Sequence, residues 1–286
     1  MGLSIWNRVA ERKVAEHNAA VPRDPETGIM RGAEPDDYGP EEAHGAVLFI
    51  HGFGGSANHF EQLPRRVAGA GWHVRVLLLP GHGTFPAEFE QTSGDQMLNA
   101  VLDEARLLLQ AHEKVVLLGH SMGGALATLA AAQLPETAGL VLGAPYFAIT
   151  PRWYYGVAPE TWMRKGPSYI RWVYSNPDHQ PVYRREVSRD IISYAWFPTK
   201  AAVTAMGIAA RAAEKATLAE VKQPVLLLHG RRDKVTWPDA ACRAVEQMSS
   251  VTKRTVLLDN SNHILFWDYE REDIIREVLA FLEERL

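Results

Sequence analysis

The stretch Gly119-His-Ser-Met-Gly123 decides the fold of this chain. It follows an apolar run at residues 114–118 and opens a segment of small residues at 124–133. A G-x-S-x-G sequence is informative where a strand turns sharply into a helix, because that turn pushes the serine hydroxyl out at the carboxyl edge of a sheet. Glycines flank the turn because a Cβ there would collide with the neighbouring strand or helix. Ser121 is therefore predicted to be a nucleophile at such a turn.

Apolar runs alternate with helical patterns on both sides of this motif. Continuous apolar strands separated by helices are typical of a parallel sheet that is covered on both faces. The predicted fold class is therefore α/β, with a mainly parallel central sheet and helices on both faces. Strands are predicted at residues 46–50, 74–79, 115–118, 140–142, 225–228 and 255–258, and helices at 60–70, 96–112, 124–133, 239–247 and 273–284.

Residues 146–218 interrupt the alternation, since they contain no strand of this kind and are dense in Trp, Tyr and Phe. Because the segment falls between two core strands, we predict a helical cap above the carboxyl edge, where ligands bind in open α/β sheets. Most of its rings are expected to pack the cap onto the core. Tyr146, Trp153 and Trp196 are predicted to contact substrate. The predicted divisions are a lead-in segment at 1–40, the core at 41–145 and 219–286, and the cap at 146–218.

The lead-in segment combines a helical pattern with an irregular stretch. Residues 21–44 are rich in Pro, Asp, Glu and Gly, and we expect one short strand within them. Before that stretch, Leu3, Trp6, Val9 and Ala10 can form one face of a short helix. We predict that this face docks on the protein's own surface rather than on a membrane, because it is short and the polar face carries both charge signs.

Composition points away from several function classes. The 286 residues carry a net charge of −4 with scattered basic residues, so no nucleic-acid partner is predicted. No apolar run approaches the ~20 residues that span a bilayer, and charges in the first 20 positions break a signal peptide. We expect a cytoplasmic protein without an integral membrane segment, a monomer or weak homodimer with a small-molecule substrate. There is no H-E-x-x-H motif, Cys/His cluster or P-loop, so neither a metal nor a cofactor is predicted.

A glycine-rich loop after the first core strand is the candidate oxyanion hole. It reads His51-Gly-Phe-Gly-Gly55. Fixed backbone N–H groups stabilise the charge that develops on a carbonyl oxygen during acyl transfer, and losing one typically costs ~10²–10³ in rate. We assign the two donors to the amides of Phe53 and Met122. Gly52 and Gly54 are expected to let the backbone approach the substrate closely.

The candidate acid and base follow two late strands. Asp233 stands in a turn just beyond residues 225–228, and His263 stands just beyond 255–258. Rival carboxylates are Asp259, at a strand end, and Asp268, which we expect to begin the terminal helix. His120 is counted among the residues next to the substrate, with its ring turned away from the serine hydroxyl.

The assembled motifs resemble the α/β-hydrolase superfamily, and more closely its bacterial carboxylesterase and monoacylglycerol-lipase branch. They are Ile50-His-Gly-Phe-Gly-Gly55, Leu79-Pro-Gly-His-Gly-Thr84, Gly119-His-Ser-Met-Gly-Gly124, Gly230-Arg-Arg-Asp233 and Asn260-Ser-Asn-His263. The chain order Ser, Asp, His also matches. The resemblance runs from about residue 46 to the end, loosely in the cap, and leaves 1–40 uncovered. It implies a cofactor-free serine ester hydrolase with a small helical cap. One departure is Asn262, where relatives commonly have glycine, and it is expected to narrow the leaving-group side.

By this resemblance, Ser121 attacks the acyl carbon, His263 relays the proton to the leaving alcohol, and Asp233 holds the imidazole tautomer. The predicted function is hydrolysis of short-to-medium acyl esters, monoacylglycerols included, through an acyl-enzyme on Ser121. Two alternatives stay open, namely a proline-iminopeptidase-like amide hydrolase and a non-catalytic small-molecule receptor. The peptidase would need acidic groups to hold a free amino terminus. Candidates for that role in the cap are Glu160, Asp178, Glu186 and Asp190.

Overall fold

The apolar runs around the G-x-S-x-G motif pair into one seven-stranded sheet in the computed structural model, which describes residues 2–151 and 169–285. The strands, in chain order, are β1 (Asp36–Tyr38), β2 (Ala46–Ile50), β3 (His73–Leu77), β4 (Val115–His120), β5 (Gly139–Gly143), β6 (Trp172–Tyr174), β7 (Trp196–Pro198), β8 (Val225–Gly230) and β9 (Lys253–Leu258). The sheet order is β1-β3-β2-β4-β5-β8-β9. Only β1 runs antiparallel to its neighbour in this sheet, which confirms the predicted, mainly parallel α/β-hydrolase architecture.

Helices cover both faces of the sheet, as the alternating pattern predicted. The helices, in chain order, are α1 (Gly2–Ala20), α2 (Leu63–Gly69), α3 (Pro86–Gln91), α4 (Gly94–Ala111), α5 (Met122–Gln133), α6 (Thr199–Ala212), α7 (Lys215–Glu220), α8 (Pro238–Gln247) and α9 (Arg271–Glu283). In β2, Leu48 and Ile50 face the cluster that includes α4, α5 and α8. Val47 and Phe49 face the cluster that includes α2 and α9. Burying one such side chain contributes about 1.5–3 kcal/mol, so both faces hold the sheet in place.

The insertion between β5 and β8 contains helices and also a strand pair that the sequence analysis did not anticipate. Strands β6 and β7 pair antiparallel, with Val173 opposite Phe197. Helix α6 packs on α5, the helix that follows the candidate nucleophile. Strands of three residues carry too little periodicity to be recognised in sequence. The predicted domain boundaries stay a prediction, and Trp153 and Glu160 lie outside the described residues.

Helix α1 docks on the insertion through part of the predicted face. Ala10 and Val14 are buried in a cluster with Trp172, Ala195 and Trp196, whereas Trp6 and Val9 are exposed. Docking on the protein's own surface is therefore correct. The predicted face is right for Ala10, wrong for Trp6 and Val9, and it missed Val14. No helix in the described part of the chain combines the length and apolar character needed to cross a membrane.

Candidate active site

Ser121 occupies the sharp turn between β4 and α5. Its backbone has φ 54° and ψ −120°, a conformation that costs a non-glycine residue about 1–3 kcal/mol. A Cβ on Gly119 would lie 2.3 Å from the Gly123 carbonyl oxygen, and a Cβ on Gly123 would lie 2.0 Å from that of Ile50. The two glycines are thus required by close backbone packing. The Ser121 amide donates to the Gly143 carbonyl at 2.9 Å, which fixes the turn on the neighbouring strand.

The structure brings the predicted serine, histidine and aspartate into one hydrogen-bonded chain. His263 Nε2 lies 2.9 Å from Ser121 Oγ, and His263 Nδ1 lies 2.9 Å from Asp233 Oδ2. All three side chains are buried. With its proton on Nδ1, the imidazole donates to the carboxylate and presents Nε2 as an acceptor for the serine hydroxyl proton. This arrangement has the geometry that nucleophilic acyl transfer needs.

Asp233 is held as a carboxylate by its surroundings. Burial alone would raise its pKa, but the charge and hydrogen bond of His263 outweigh burial, so the pKa lies below its usual range. One oxygen accepts the amides of Val235 and Thr236 at 2.7 and 3.1 Å, and the other accepts the Thr236 hydroxyl at 3.0 Å. An ionised, oriented carboxylate fixes the histidine tautomer and stabilises the imidazolium that forms in the reaction.

The rival carboxylates have structural partners instead. Asp259 is exposed and pairs with Arg231 at 2.9 Å. Asp268 is buried and accepts the amides of Tyr183, Arg184 and Asn262 at 2.8–3.0 Å. Through these bonds Asp268 ties the cap to the loop that carries the histidine.

Asn262 also connects loops. Its side-chain oxygen accepts the Lys234 amide at 3.1 Å, which joins the loop of His263 to the loop of Asp233. It is buried and lines neither of the cavities that meet at Ser121. The expectation that Asn262 narrows the leaving-group side is therefore wrong.

The loop after β2 lies against the serine. A Cβ on Gly52 would be 2.9 Å from Ser121 Cβ, so only glycine permits this approach. The amide of Phe53, the next residue, donates to no acceptor among the described residues. Met122 is the first residue of α5, where helix amides have no intrahelical acceptor and the helix dipole favours negative charge. The assignment of Phe53 and Met122 as oxyanion donors stays a prediction with this support.

Phe53→Ala tests that assignment, because the proposed donor belongs to the backbone. The side chain contacts the rings of Phe89 and Phe197, with ring centroids 4.9 and 5.3 Å apart, and its loss removes part of a cavity wall. We expect a raised KM and a kcat within roughly tenfold of wild type, since a lost backbone donor would cost ~10²–10³. Steady-state kinetics on a soluble p-nitrophenyl ester measure both. A kcat loss as large as that of Ser121→Ala would refute the placement of the donor.

Two cavities meet at Ser121. The larger, of about 210 Å³, has a polar wall that includes His59, Ser175, Gln180 and Ser193. The smaller, of about 170 Å³, is apolar. It is lined by Tyr146, Ile149, Ala202, Ala205 and Thr236, besides four residues that touch both cavities, namely Phe53, Ser121, Phe197 and Val235.

The predicted substrate contacts divide between these cavities. Gly52, Gly54 and His120 line the larger one, and Tyr146 lines the smaller one. Trp196 lines neither.

Trp196 instead packs against α1, and its neighbour Phe197 lines both cavities. Successive side chains of a strand point to opposite faces, so a one-residue error exchanges the inner ring for the outer one. Sequence reasoning also missed His59 and Gln180. No motif surrounds either residue, and both come to the site only through folding of the loops that carry them.

Buried histidines support the loops around the serine. His51 Nε2 accepts the Leu79 amide at 3.0 Å, and burial lowers the pKa of His51 to about 4. His120 Nε2 lies 2.9 Å from the carbonyl oxygen of His263, and burial lowers the pKa of His120 to about 3. His120 therefore steadies the backbone of His263 as a neutral imidazole. Among the described residues, no group of three His, Cys, Asp or Glu side chains could hold a metal ion.

Comparison with known proteins assigns the chain to a family. The family model Hydrolase_4, described as serine aminopeptidase, S33, matches residues 41–270. The chain belongs to this family. A thermostable monoacylglycerol lipase from Bacillus sp. (strain H-257) is 28% identical over 261 residues, covering 88% of this chain and 95% of the relative. Human monoglyceride lipase is 25% identical over 242 residues, covering 77% of this chain and 76% of its own length.

Solved structures agree with this membership. A metagenome-derived lipolytic enzyme superposes with a TM-score of 0.78 at 26% identity, covering 90% of this chain and 99% of its own. A monoacylglycerol lipase from Paleococcus ferrophilus has a TM-score of 0.75 at 22% identity, covering 88% and 99%, which shows the shared fold. Together these relatives confirm the predicted class, a carboxylesterase-like serine hydrolase, and do not favour the peptidase or receptor alternatives.

Proposed function

We propose that this protein hydrolyses carboxylic esters with one short-to-medium acyl chain, monoacylglycerols included, through an acyl-enzyme on Ser121. The observation that carries the proposal is the position of the hydrogen-bonded Ser121–His263–Asp233 chain where an apolar cavity meets a second cavity that has polar side chains on part of its wall. A monoester of a polyhydric alcohol matches this arrangement, because it has an apolar acyl chain and a polar leaving group. The monoacylglycerol lipases among the relatives add support.

In the proposed reaction, Ser121 Oγ attacks the ester carbonyl while His263 Nε2 takes the hydroxyl proton. The amides of Phe53 and Met122 donate hydrogen bonds to the carbonyl oxygen and stabilise the negative charge that develops on it. His263 then donates its proton to the leaving alcohol, and the acyl group stays on Ser121 as an ester. Water repeats the attack with the same histidine as base, which releases the acid and restores the serine.

The smaller cavity suits the acyl chain. The residues that line only this cavity are Tyr146, Ile149, two α6 alanines and Thr236, and burial of acyl methylenes there contributes about 0.8 kcal/mol each. The alanines leave room beside the serine that larger side chains would fill. The limited volume of about 170 Å³ supports short-to-medium acyl groups.

The larger cavity suits a hydroxylated leaving group. Gln180 is buried there, and its Nε2 donates to Ser193 Oγ at 3.0 Å, which leaves its carbonyl oxygen as an acceptor. His59 forms part of the same wall, and its two buried ring nitrogens have no hydrogen-bond partner among the described residues. Burial, followed by the nearby His120, lowers the pKa of His59 far below its usual value, so it is a neutral donor and acceptor. A hydroxyl group can both donate to and accept from such groups.

The aminopeptidase alternative lacks its acidic clamp in the described residues. No Asp or Glu lines either cavity within residues 2–151 and 169–285. Asp178 pairs with Arg189 at 2.7 Å and Glu186 pairs with Arg184 at 3.0 Å, both at exposed positions. Asp190 is exposed as well. A free substrate ammonium would therefore find no carboxylate among these walls, and the ester proposal is favoured.

A hydrolysis panel tests the proposed function. It compares p-nitrophenyl esters from C2 to C16, 1-monoacylglycerols and an aminoacyl-p-nitroanilide on wild type and Ser121→Ala. We expect serine-dependent ester cleavage with an optimum at short-to-medium chains, because the acyl cavity is apolar and small. Cleavage of the anilide alone would establish a peptidase, and silence with every substrate would reject the ester proposal.

The oligomeric state and the location of the protein stay predictions. The monomer or weak homodimer expected from sequence is measured by sedimentation velocity. The expected cytoplasmic location is measured by fractionation of the source cell.

A further inference from the structure

One side of α1 is apolar and exposed, and it lies outside the residues 41–270 that the family model matches. Ile5, Trp6 and Val9 are 52%, 48% and 46% exposed. Ile5 and Val9 are one helical turn apart and Trp6 flanks them, so the three side chains share one side of the helix. The docked side, which carries Ala10 and Val14, is a different one. Docking on the cap therefore leaves these three side chains in water.

A tyrosine of the insertion extends this surface. Asn7 Nδ2 donates to the Tyr169 carbonyl at 3.0 Å, which places Tyr169 beside the first turns of α1. The Tyr169 side chain is 59% exposed. We call Ile5, Trp6, Val9 and Tyr169 the α1 patch. Four half-exposed side chains present roughly 400 Å², since large rings bury about 150–250 Å² each. That is half of the about 800 Å² per partner of a specific protein interface, so the patch is too small to hold a stable dimer.

The charged side chains beside the α1 patch carry a small excess of positive charge. Arg171 pairs with two carboxylates, Glu11 at 3.0 Å and Glu90 at 2.7 Å, and Arg12 pairs with Glu16 at 2.7 Å. Arg8 and Lys13 are exposed and have no carboxylate partner in the part of the chain that the structure describes. The whole protein carries a net charge of −4, so these two cations stand out on an acidic molecule. Tryptophan next to arginine and lysine on a helix surface is typical of elements that lie in a lipid–water interface.

We propose that the α1 patch docks on an anionic lipid surface, with the apolar side chains in the interface and Arg8 and Lys13 against the head groups. Helix α1 packs on β7 through Trp196, and the next residue, Phe197, lines both cavities at Ser121. Docking thus places the cavities behind helix α1 and strand β7 as seen from the lipid. The inference that the lipid surface supplies an amphiphilic ester to these cavities rests on the proposed function. The docking of α1 on that surface does not.

Cosedimentation of the full chain with vesicles tests the proposal. Wild type is compared on phosphatidylcholine vesicles with and without phosphatidylglycerol. We expect binding that requires phosphatidylglycerol and weakens with salt, since each cation near an anionic surface contributes roughly fivefold in affinity. Ile5→Ser/Trp6→Ser/Val9→Ser is expected to weaken binding at least tenfold. Arg8→Glu/Lys13→Glu is expected to abolish the preference for phosphatidylglycerol.

The matched control is Leu107→Ser/Val251→Ser, which removes two exposed apolar side chains remote from α1 and should bind as wild type does. Turnover of soluble p-nitrophenyl acetate should be equal in all variants, which shows that they are folded. Failure of the wild type to sediment, or equal binding by the triple variant, would overturn the proposal. The proposal would also be overturned if sedimentation velocity showed a dimer for the wild type and a monomer for the triple variant. Absence of ester turnover in every protein would count against the proposed function alone, because vesicle binding is measured separately.

Discussion

Ser121→Ala is expected to lower kcat on every ester substrate by roughly 10⁴–10⁶-fold, the range found when a serine nucleophile of this type is removed. The loss is large because no other described hydroxyl lies within hydrogen-bond reach of His263 Nε2 on the cavity side. The residual activity comes from the backbone donors and from substrate binding, which the substitution leaves in place. Steady-state turnover of a p-nitrophenyl ester, with the protein at high concentration, measures the loss.

The same variant should stay folded. Removal of one oxygen changes no apolar contact, and the Ser121 amide still donates to Gly143. Thermal unfolding should therefore be close to that of wild type. Ser249→Ala, at an exposed position before β9, is the matched control and should keep full activity. Ordinary turnover by Ser121→Ala would contradict the assignment of Ser121 as the nucleophile. An unfolded variant would be recognised because it shows no thermal unfolding transition.

The nucleophile, base and acid could be predicted from sequence because each lies in a local signal. Ser121 is flanked by glycines that backbone packing demands. Asp233 follows the apolar, fully buried strand β8, and His263 follows the shorter apolar run that ends β9. The carboxyl ends of parallel strands meet at one edge, so correct strands already bring such residues together. The core strands were predictable for the same reason, since fully buried strands read as unbroken apolar runs.

Residues that reach the site through tertiary packing could not be predicted. Gln180 and His59 have no local signal, and their roles depend on how two separate loops fold over the serine. Trp196 was predicted as a substrate contact, whereas its neighbour Phe197 lines the cavities, because a three-residue strand does not reveal which face is inner. For α1, the predicted face included Ala10, but the structure buries Ala10 together with Val14 and leaves Trp6 and Val9 exposed, a choice that depends on the surface of the cap.

Acidification is expected to unfold the protein with a midpoint between about pH 4.5 and 5.5, and five buried histidines are the cause. They are His51, His59, His82, His120 and His229, and for each burial is the largest influence and lowers the pKa. In the unfolded chain a histidine takes up a proton near its ordinary pKa of about 6.5. In the folded protein the pKa of each lies lower, for example at about 4 for His51 and about 3 for His120, so proton uptake needs a lower pH.

Below about pH 6.5 the unfolded state therefore binds more protons than the folded state, so the free energy of unfolding falls as pH falls. Each such histidine removes about 1.4 kcal/mol per pH unit, and five remove about 7 kcal/mol per pH unit. A domain of ordinary stability has only about 5–15 kcal/mol to lose. Urea unfolding followed by circular dichroism at intervals from pH 7.5 to 5 measures the slope. Carboxylates such as Asp233 stay ionised there, because its pKa lies below its usual range, so the slope reports histidine. His82→Gln should reduce this dependence of the free energy of unfolding on pH by about one fifth. A slope near zero would show that the five histidines are not buried and neutral as described.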